Sequence, residues 1–458
     1  MRIAHTQASA GPRCFPSVAP MVALVLAWAA ADTVRADQPT HVVVGTNASP
    51  AGALLAWNVV GQSWKAVAPK AEITAGQQLT VLAGDRGQVD AAHGAARLTL
   101  WGNVPQATAD PLRDSTVVIN PPGEGQDLSV TLRRGRLVFT NTRQRGPARI
   151  QLRFEDQAYG LILNGPGTEV AAEYYSRWLP GVPFVLERPG SKPDTANQAR
   201  PLVSVVILVL KGQADISTGQ EQFAMRAPPG PAAFSWDSFR GAESSPHHVN
   251  ALPVWTKASD ISTIEAKPIV QAVRRIRQAV AEKPVNEVLA AEMNSSDKIS
   301  RDLAVDDMAS VSDLAGLVQA LTSKEHSDVR ETAVEALRRW IGRGTDEDQR
   351  LYRFLVRRRQ YSAVQAEIGL QLLHSFDRDA WYRPETYELL IGYLNNPKMI
   401  IRVLAAAHLY HSPFAPKAGN QISYDPAGSA QERARAVEQW RKAVPEGTIP
   451  KELRQKGR

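Results

Sequence analysis

A single cysteine, Cys14, occurs in 458 residues. It lies before the N-terminal apolar run rather than at its end, so it is not placed to accept a lipid. If the N-terminus is removed as a leader, no cysteine remains. Disulfides, thiolate catalysis and cysteine-based metal sites are then excluded. Long apolar runs are scarce too. Residues 18–31 (VAPMVALVLAWAAA) and 201–210 (PLVSVVILVL) are the two strongest, and both fall short of the ~20 residues that a spanning helix needs. The second is rich in β-branched side chains and predicts a buried strand. Also missing are Gly-x-Ser-x-Gly, a phosphate loop and His-Glu-x-x-His. The charge is only mildly basic, +7 in all, and falls by two to +5 if residues 1–36 are removed, since they hold three arginines and one aspartate. That balance does not imply nucleic acid.

What is present begins with a leader. Arg2 and Arg13 supply a basic start, the apolar run follows, and Val34-Arg35-Ala36 offers a cleavage position. Residues 1–36 are therefore expected to be a signal peptide cut near Ala36. The mature chain is expected to be exported, periplasmic or associated with the envelope, with no membrane span.

A β-rich segment is predicted over 37–112, with strands near residues 41–45, 54–60, 79–84 and 97–101. Trp57, Trp64 and Trp101 are expected to pack in the core or at its rim, with a carbohydrate-stacking platform as the alternative. Residues 127–170 form the centre of the chain. Leu128, Val130 and Leu132 alternate with polar residues, Leu137-Val138-Phe139 is apolar, and Ile150, Leu152 and Phe154 alternate again. Period two marks half-buried strands. Arg134-Gly135 and Gly165-Pro166-Gly167 are expected to be the turns of this antiparallel unit.

Three motifs carry a resemblance over about 100 residues: Leu132-Arg133-Arg134-Gly135, Gly167-Thr168-Glu169-Val170 and Leu210-Lys211-Gly212-Gln213-Ala214. In order and spacing they resemble FecR-like domains, with Val170 in place of the usual Phe and Lys211 in place of the usual acid. The resemblance implies a FecR-like β domain over 113–225. In that family the domain belongs to envelope sensors that meet an outer-membrane receptor and control a sigma factor through a membrane helix, which this sequence lacks. A Pro-rich junction is expected over 226–260, where the β and helical parts should separate. His247-His248 within it do not predict a metal site, because neighbouring strand residues point apart and no carboxylate is counted at helical spacing.

From Ile269 the period becomes helical: Ile269, Val273, Ile276 and Val280 share one face. An octet then recurs, starting at Arg301, Arg330, Ala363 and Arg402, with Ala304, Ala333, Ala366 and Ala405 at the equivalent position. Second helices lie between the copies. Asp328, Ser312 and Ser362 are candidate N-caps, Pro397 fits a first turn and Gly342 a helix stop. Helix pairs at this spacing stack into a solenoid, and the pattern resembles HEAT-like repeats. Residues 261–412 are assigned to them, and 413–458 to a loop, a capping helix and a basic tail. The fold class is thus multidomain α+β, an antiparallel β-rich N-terminal part followed by an α-helical solenoid. The whole order resembles exported proteins of planctomycete-type bacteria.

Arg350, Arg353, Arg357 and Arg358 form the densest basic cluster. The first three share a helix face and are the candidate partner-binding residues, set against a plain solvated face. Asp306-Asp307 and Asp346-Glu347-Asp348 are read as loop or helix-end acids rather than catalytic pairs. No catalytic, cofactor or metal residues are assigned. The expectation is a non-enzymatic binding or scaffold protein of the envelope, with a protein partner. An envelope glycan hydrolase or carbohydrate-binding protein is the alternative, and a FecR-like signalling component a further one. Nucleic acid is not expected.

Overall fold

The structure is a computed structural model and describes residues 42–103, 111–187, 199–219, 221–256 and 267–456. The expected leader, its cleavage position and Cys14 lie outside these residues.

The N-terminal strands are β1 (Val43–Asn47), β2 (Leu55–Asn58), β3 (Ser63–Ala66), β4 (Glu72–Thr74), β5 (Gln78–Val81), β6 (Arg86–Ala91), β7 (Ala96–Trp101) and β8 (Ser115–Asn120). They are followed by β9 (Leu128–Asn141), β10 (Ala148–Phe154), β11 (Gln157–Leu163), β12 (Glu169–Arg177) and β13 (Leu202–Lys211). The last are β14 (Gln213–Thr218), β15 (Glu221–Arg226), β16 (Pro231–Asp237), β17 (Gly241–Ala242) and β18 (His247–His248). One ladder runs β4–β1–β6–β7–β9–β12–β13–β16, with β17 and β18 on the outer side of β16. The other runs β3–β2–β5–β8–β9–β10–β11–β14–β15. Inward residues of both, such as Leu98, Phe139 and Ile207 against Leu79, Val130 and Leu161, form one apolar cluster. The architecture is a sandwich.

Strand β9 belongs to both sheets. Its first half pairs with β8 and, in parallel, with β10, and its second half pairs with β7 and β12. The expected turn at Arg134-Gly135 is therefore a correction. The chain does not reverse there. It bends within one strand, beside a register shift opposite Thr116-Val117. Gly135 has φ +87°, and a Cβ on it would lie 2.2 Å from the Asp114 carbonyl oxygen, so only glycine fits. Past the bend, Val138 joins a second cluster with Ala171, Leu208, Ala233 and Trp255 on the other face of the sheet. Packing on both faces is why Leu137-Val138-Phe139 is continuously apolar and residues 201–210 are apolar apart from Ser204.

Two expected boundaries do not hold. The division at 112/113 falls inside the sandwich, because β7 and β8 both pair with β9. The Pro-rich junction contains β16, whose Phe234 is buried in the sandwich core.

The helices are α1 (Lys267–Glu282), α2 (Val285–Glu292), α3 (Lys298–Ser310), α4 (Leu314–Leu321), α5 (Ser327–Ile341) and α6 (Glu347–Arg359). They continue as α7 (Ala363–His374), α8 (Pro384–Tyr393), α9 (Met399–His411), α10 (Ala430–Ala443) and α11 (Lys451–Lys456). Of the expected caps, Ser362 closes a capping box on α7 and Gly342 ends α5. Asp313, not Ser312, caps α4, Asp328 sits one residue inside α5, and Pro397 precedes the α9 cap at Lys398. Pro384 takes the first-turn position instead, on α8.

The repeated octet lies on α3, α5, α7 and α9, and Ala304, Ala333, Ala366 and Ala405 are all fully buried. Contacts run α3 to α5, α5 to α7 and α7 to α9, and α9 also reaches back to α4 and α5. Three copies carry a buried arginine at the octet's first position. Arg301, Arg330 and Arg402 each donate to carbonyls of the loop before their own helix: Ser295 and Ser296, Ser323, and Asn396 and Pro397. This tie orients each helix on its entry loop.

Sandwich and helices share one compact unit, residues 41–458. Leu55, Trp64, Leu82 and Ala83 join the helical core, and the Trp64 indole N–H donates to the Val311 carbonyl at 3.1 Å. Residues 178–187, leaving β12, lie along α5, α6 and α7. Trp178 Nε1 donates to the Ile341 carbonyl, Phe184 N to Gln371 Oε1 and Glu187 N to Gln349 Oε1. The expected separation near 240–265 is therefore bridged by extensive packing.

Candidate functional site

A groove lies between α5 and α9, two helices of the repeat. Its volume is about 430 Å³. Small residues on α9, Ala406 and Ala407, keep it open, while Val334 of α5 and Val403 of α9 make the floor apolar. The walls are Tyr410 and Tyr424, fixed by hydrogen bonds to the Ile422 carbonyl (2.8 Å) and the Leu394 carbonyl (2.6 Å). Burial pushes both phenols up, so they stay protonated donors.

Charge sits at the margins. Arg330 donates to Asp425 at 3.0 Å, and Arg338 donates to Glu335 at 3.1 Å. Burial lowers the Arg338 pKa, and Glu335 offsets part of that. Glu331 and His411 stand exposed at the rim. Behind Arg338, His408 of α9 is buried. Its Nε2 lies 2.8 Å from the Leu372 carbonyl oxygen and 3.2 Å from Arg338 Nη2. Burial first, then the Arg338 charge, lowers its pKa to about 3, so it is neutral. Apolar floor, aromatic walls and charged rim suit binding an amphipathic segment.

Arg350, Arg353, Arg357 and Arg358 all lie exposed on α6, and none lines this groove. Arg350 pairs with Glu347 at 2.6 Å and sits over the Trp340 ring at 5.3 Å.

The acids divide. Asp346 occupies the N-cap position of α6 without a side-chain cap hydrogen bond, and Glu347 and Asp348 stand in its first turn, at the helix end read from the sequence. Asp306 and Asp307 do not sit at a helix end. They lie within α3, buried, at the seam between helices and sandwich. Asp306 pairs with Arg339 and stands 3.8 Å from Arg113. Asp307 accepts from Ala83 N at 2.8 Å. Asp114, beside the β9 bend, pairs with Arg134 and, at 2.8 Å, with Arg343, while Asp85 pairs with Arg277 at 3.1 Å. Burial would raise the Asp114 pKa, but the Arg134 and Arg343 guanidiniums outweigh it and hold it below the usual value. Burial raises Asp85 to about 7 despite Arg277. It raises Asp307 well above the usual carboxylate range, helped by Asp306, Asp85 and Asp114. Burial also lowers Arg343 to about 9. These groups hold the two halves together.

Sequence reasoning missed the seam and the groove. The signal for the first was the pair Asp306-Asp307 inside a helical octet, where buried positions were already counted. For the second it was the small pair Ala406-Ala407 following the repeat alanine.

The tryptophans are packed: Trp64 is buried edge-on to Trp57, and Arg86 covers the Trp101 ring at 3.6 Å. His247 is exposed and meets Glu243, four residues earlier, at 2.9 Å. The count of carboxylates near it thus needs correcting, the contact arising in the segment between β17 and β18, both paired with β16, rather than on a helix. His248 turns to the Pro229 carbonyl. Among the described residues no group of three or more His, Cys, Asp or Glu is placed to hold a metal ion, and no helix is long and apolar enough to cross a membrane.

No family model, curated protein or solved structure matches the chain.

Proposed function

We propose that the protein is a non-catalytic binding or scaffold protein of the cell envelope. Its helical repeats act as a HEAT-like solenoid that holds a protein partner in the α5–α9 groove, and the β part, on the resemblance to FecR-like domains, docks a second partner. The carrying observation is the groove itself. An apolar floor between two repeat helices, with Glu331, Glu335, Arg338 and His411 around it, is suited to an amphipathic protein segment. A further support is that Asp306 and Asp307, the acids nearest to a catalytic pair, are held in the seam instead of facing a cleft.

The test is capture from envelope extract with the full chain as bait, beside Ala407→Trp, which fills the groove. A discrete partner retained by the wild type and lost with Ala407→Trp, at unchanged thermal unfolding, supports the reading. Equal capture by both, or turnover of envelope glycan by the wild type, sinks it.

A further inference from the structure

The charges of the α5–α9 groove differ in how far they are taken out of water. Glu331 and Glu335 stand exposed on its rim. Arg330 is buried but has its acceptors, the Ser323 carbonyl at 2.8 Å and Asp425 at 3.0 Å. Arg338, which also lines the groove, is not supplied in this way. Its side chain is 27% exposed, against 63% for Glu335, the carboxylate that Nη1 meets at 3.1 Å. Its Nε is buried and has no acceptor among the described residues. Nη2 stands 3.2 Å from His408 Nε2, which also lies 2.8 Å from the Leu372 carbonyl oxygen. A neutral imidazole nitrogen either donates or accepts. Whenever His408 donates to Leu372 from Nε2, Arg338 Nη2 loses its acceptor as well.

We propose, taking the groove as the seat of a protein segment, that Arg338 is its anchor and that the segment presents one carboxylate, an aspartate or glutamate side chain, among apolar residues.

Two features of the lining select that chemistry. A guanidinium offers five N–H donors and no acceptor, so a planar carboxylate completes it best. Burial already works against the Arg338 charge, and an anion arriving in the groove opposes that loss of hydration. The other residues limit the number of acids. Val334, Val403, Ala406 and Ala407 receive apolar side chains, while Glu331 and Glu335 repel further carboxylates. A uniformly acidic segment is therefore disfavoured at the rim, and a basic side chain is disfavoured beside Arg338.

The test begins with a random peptide library displayed on phage and selected on the full chain. Synthetic copies of the enriched peptides are titrated against the wild type, Ala407→Trp and Arg338→Gln, with circular dichroism checking that both variants fold. Peptides seated in the groove are those that Ala407→Trp no longer binds. Among them an acidic residue should recur, and its change to the amide should weaken wild-type binding by about tenfold or more. Arg338→Gln should bind the acid and amide forms alike. If Arg338→Gln does not fold, the acid and amide peptides on the wild type decide alone. Groove-seated peptides without an acid, equal binding of acid and amide by the wild type, or a folded Arg338→Gln that still prefers the acid overturns the proposal and leaves the groove reading standing. A selection that yields no peptide sensitive to Ala407→Trp overturns both.

Discussion

The sandwich core and the seam beside it both bury most of their side chains, and they are built in opposite ways. The core is apolar throughout, with Leu98, Phe139, Val170 and Ile207 facing Leu79, Val130, Leu152 and Leu161. The seam buries Asp85, Asp114 and Asp306 against Arg134, Arg277, Arg339 and Arg343, and Asp307 against the Ala83 amide. A shaved core side chain loses contacts in proportion to its size. A deleted seam charge leaves its partner buried and uncompensated, which is a larger loss from fewer atoms. A surface made this way is specific in register and intolerant of losing one member of a charge pair.

The largest expected effect follows directly. Asp114→Ala leaves Arg134 and Arg343 facing each other without their shared carboxylate, and should cost about 3–5 kcal/mol in chemical denaturation. A loss under about 0.5 kcal/mol, the range of ordinary surface changes, would show that the seam is solvated and the contrast false. The pH dependence has a definite sign. Asp114 titrates lower in the folded state, so its contribution is present above the unfolded value of 3.8 and disappears as pH falls through the folded value.

Next in size is Ala333→Leu, which adds bulk where α5 meets its neighbours and should cost ~1–3 kcal/mol. A neutral result would mean that the repeat alanines are not packed against neighbouring helices.

Asp307→Asn should go the other way. Its carboxyl is raised on folding, so the stability it supports is full below the unfolded value of 3.8 and is lost as pH rises through the folded value. Asparagine keeps an acceptor for Ala83 N without the charge. The variant should therefore be more stable than the wild type near neutrality and equal to it in acid. Thermal melts across that range decide, and a variant less stable at neutral pH would reverse the assignment.

Smallest on stability is Arg358→Glu, exposed on α6, which should stay within about 0.5 kcal/mol of the wild type. If the arginine row contacts a partner, the same change weakens capture in the pulldown while the melt stays put. No change in either would make the row a solvated face.

How much was legible depended on where each signal was written. The order of β then helical sequence, most strands and the repeat alanines could be read because period and residue size act locally. Gly135 was noticed but misread, since a glycine after a polar residue marks a turn and a strand bend equally well. What decides is the approach of Asp114 from a neighbouring strand. Asp306 and Asp307 were misread for the same reason. In sequence they are two acids near the end of an amphipathic helix. Their partners Arg113, Arg339 and Ala83 are brought to them by the fold alone. The α5–α9 groove joins helices 58 residues apart, counted from Ile341 to Met399, and no local pattern announces it.

The sequence separations across the seam bear on how such a chain is made. Every strand pairing of the sandwich is complete by His248. The contacts that close the seam come much later: 224 residues separate Ala83 from Asp307, and 229 separate Asp114 from Arg343. A chain emerging N-terminus first thus holds a finished sandwich whose Asp85 and Asp114 are still wetted while the helices are being delivered. The seam thus joins groups that the chain delivers far apart, Arg277 to Asp85 and Arg343 to Asp114, together with the apolar contacts that Leu55, Trp64, Leu82 and Ala83 make with the helices.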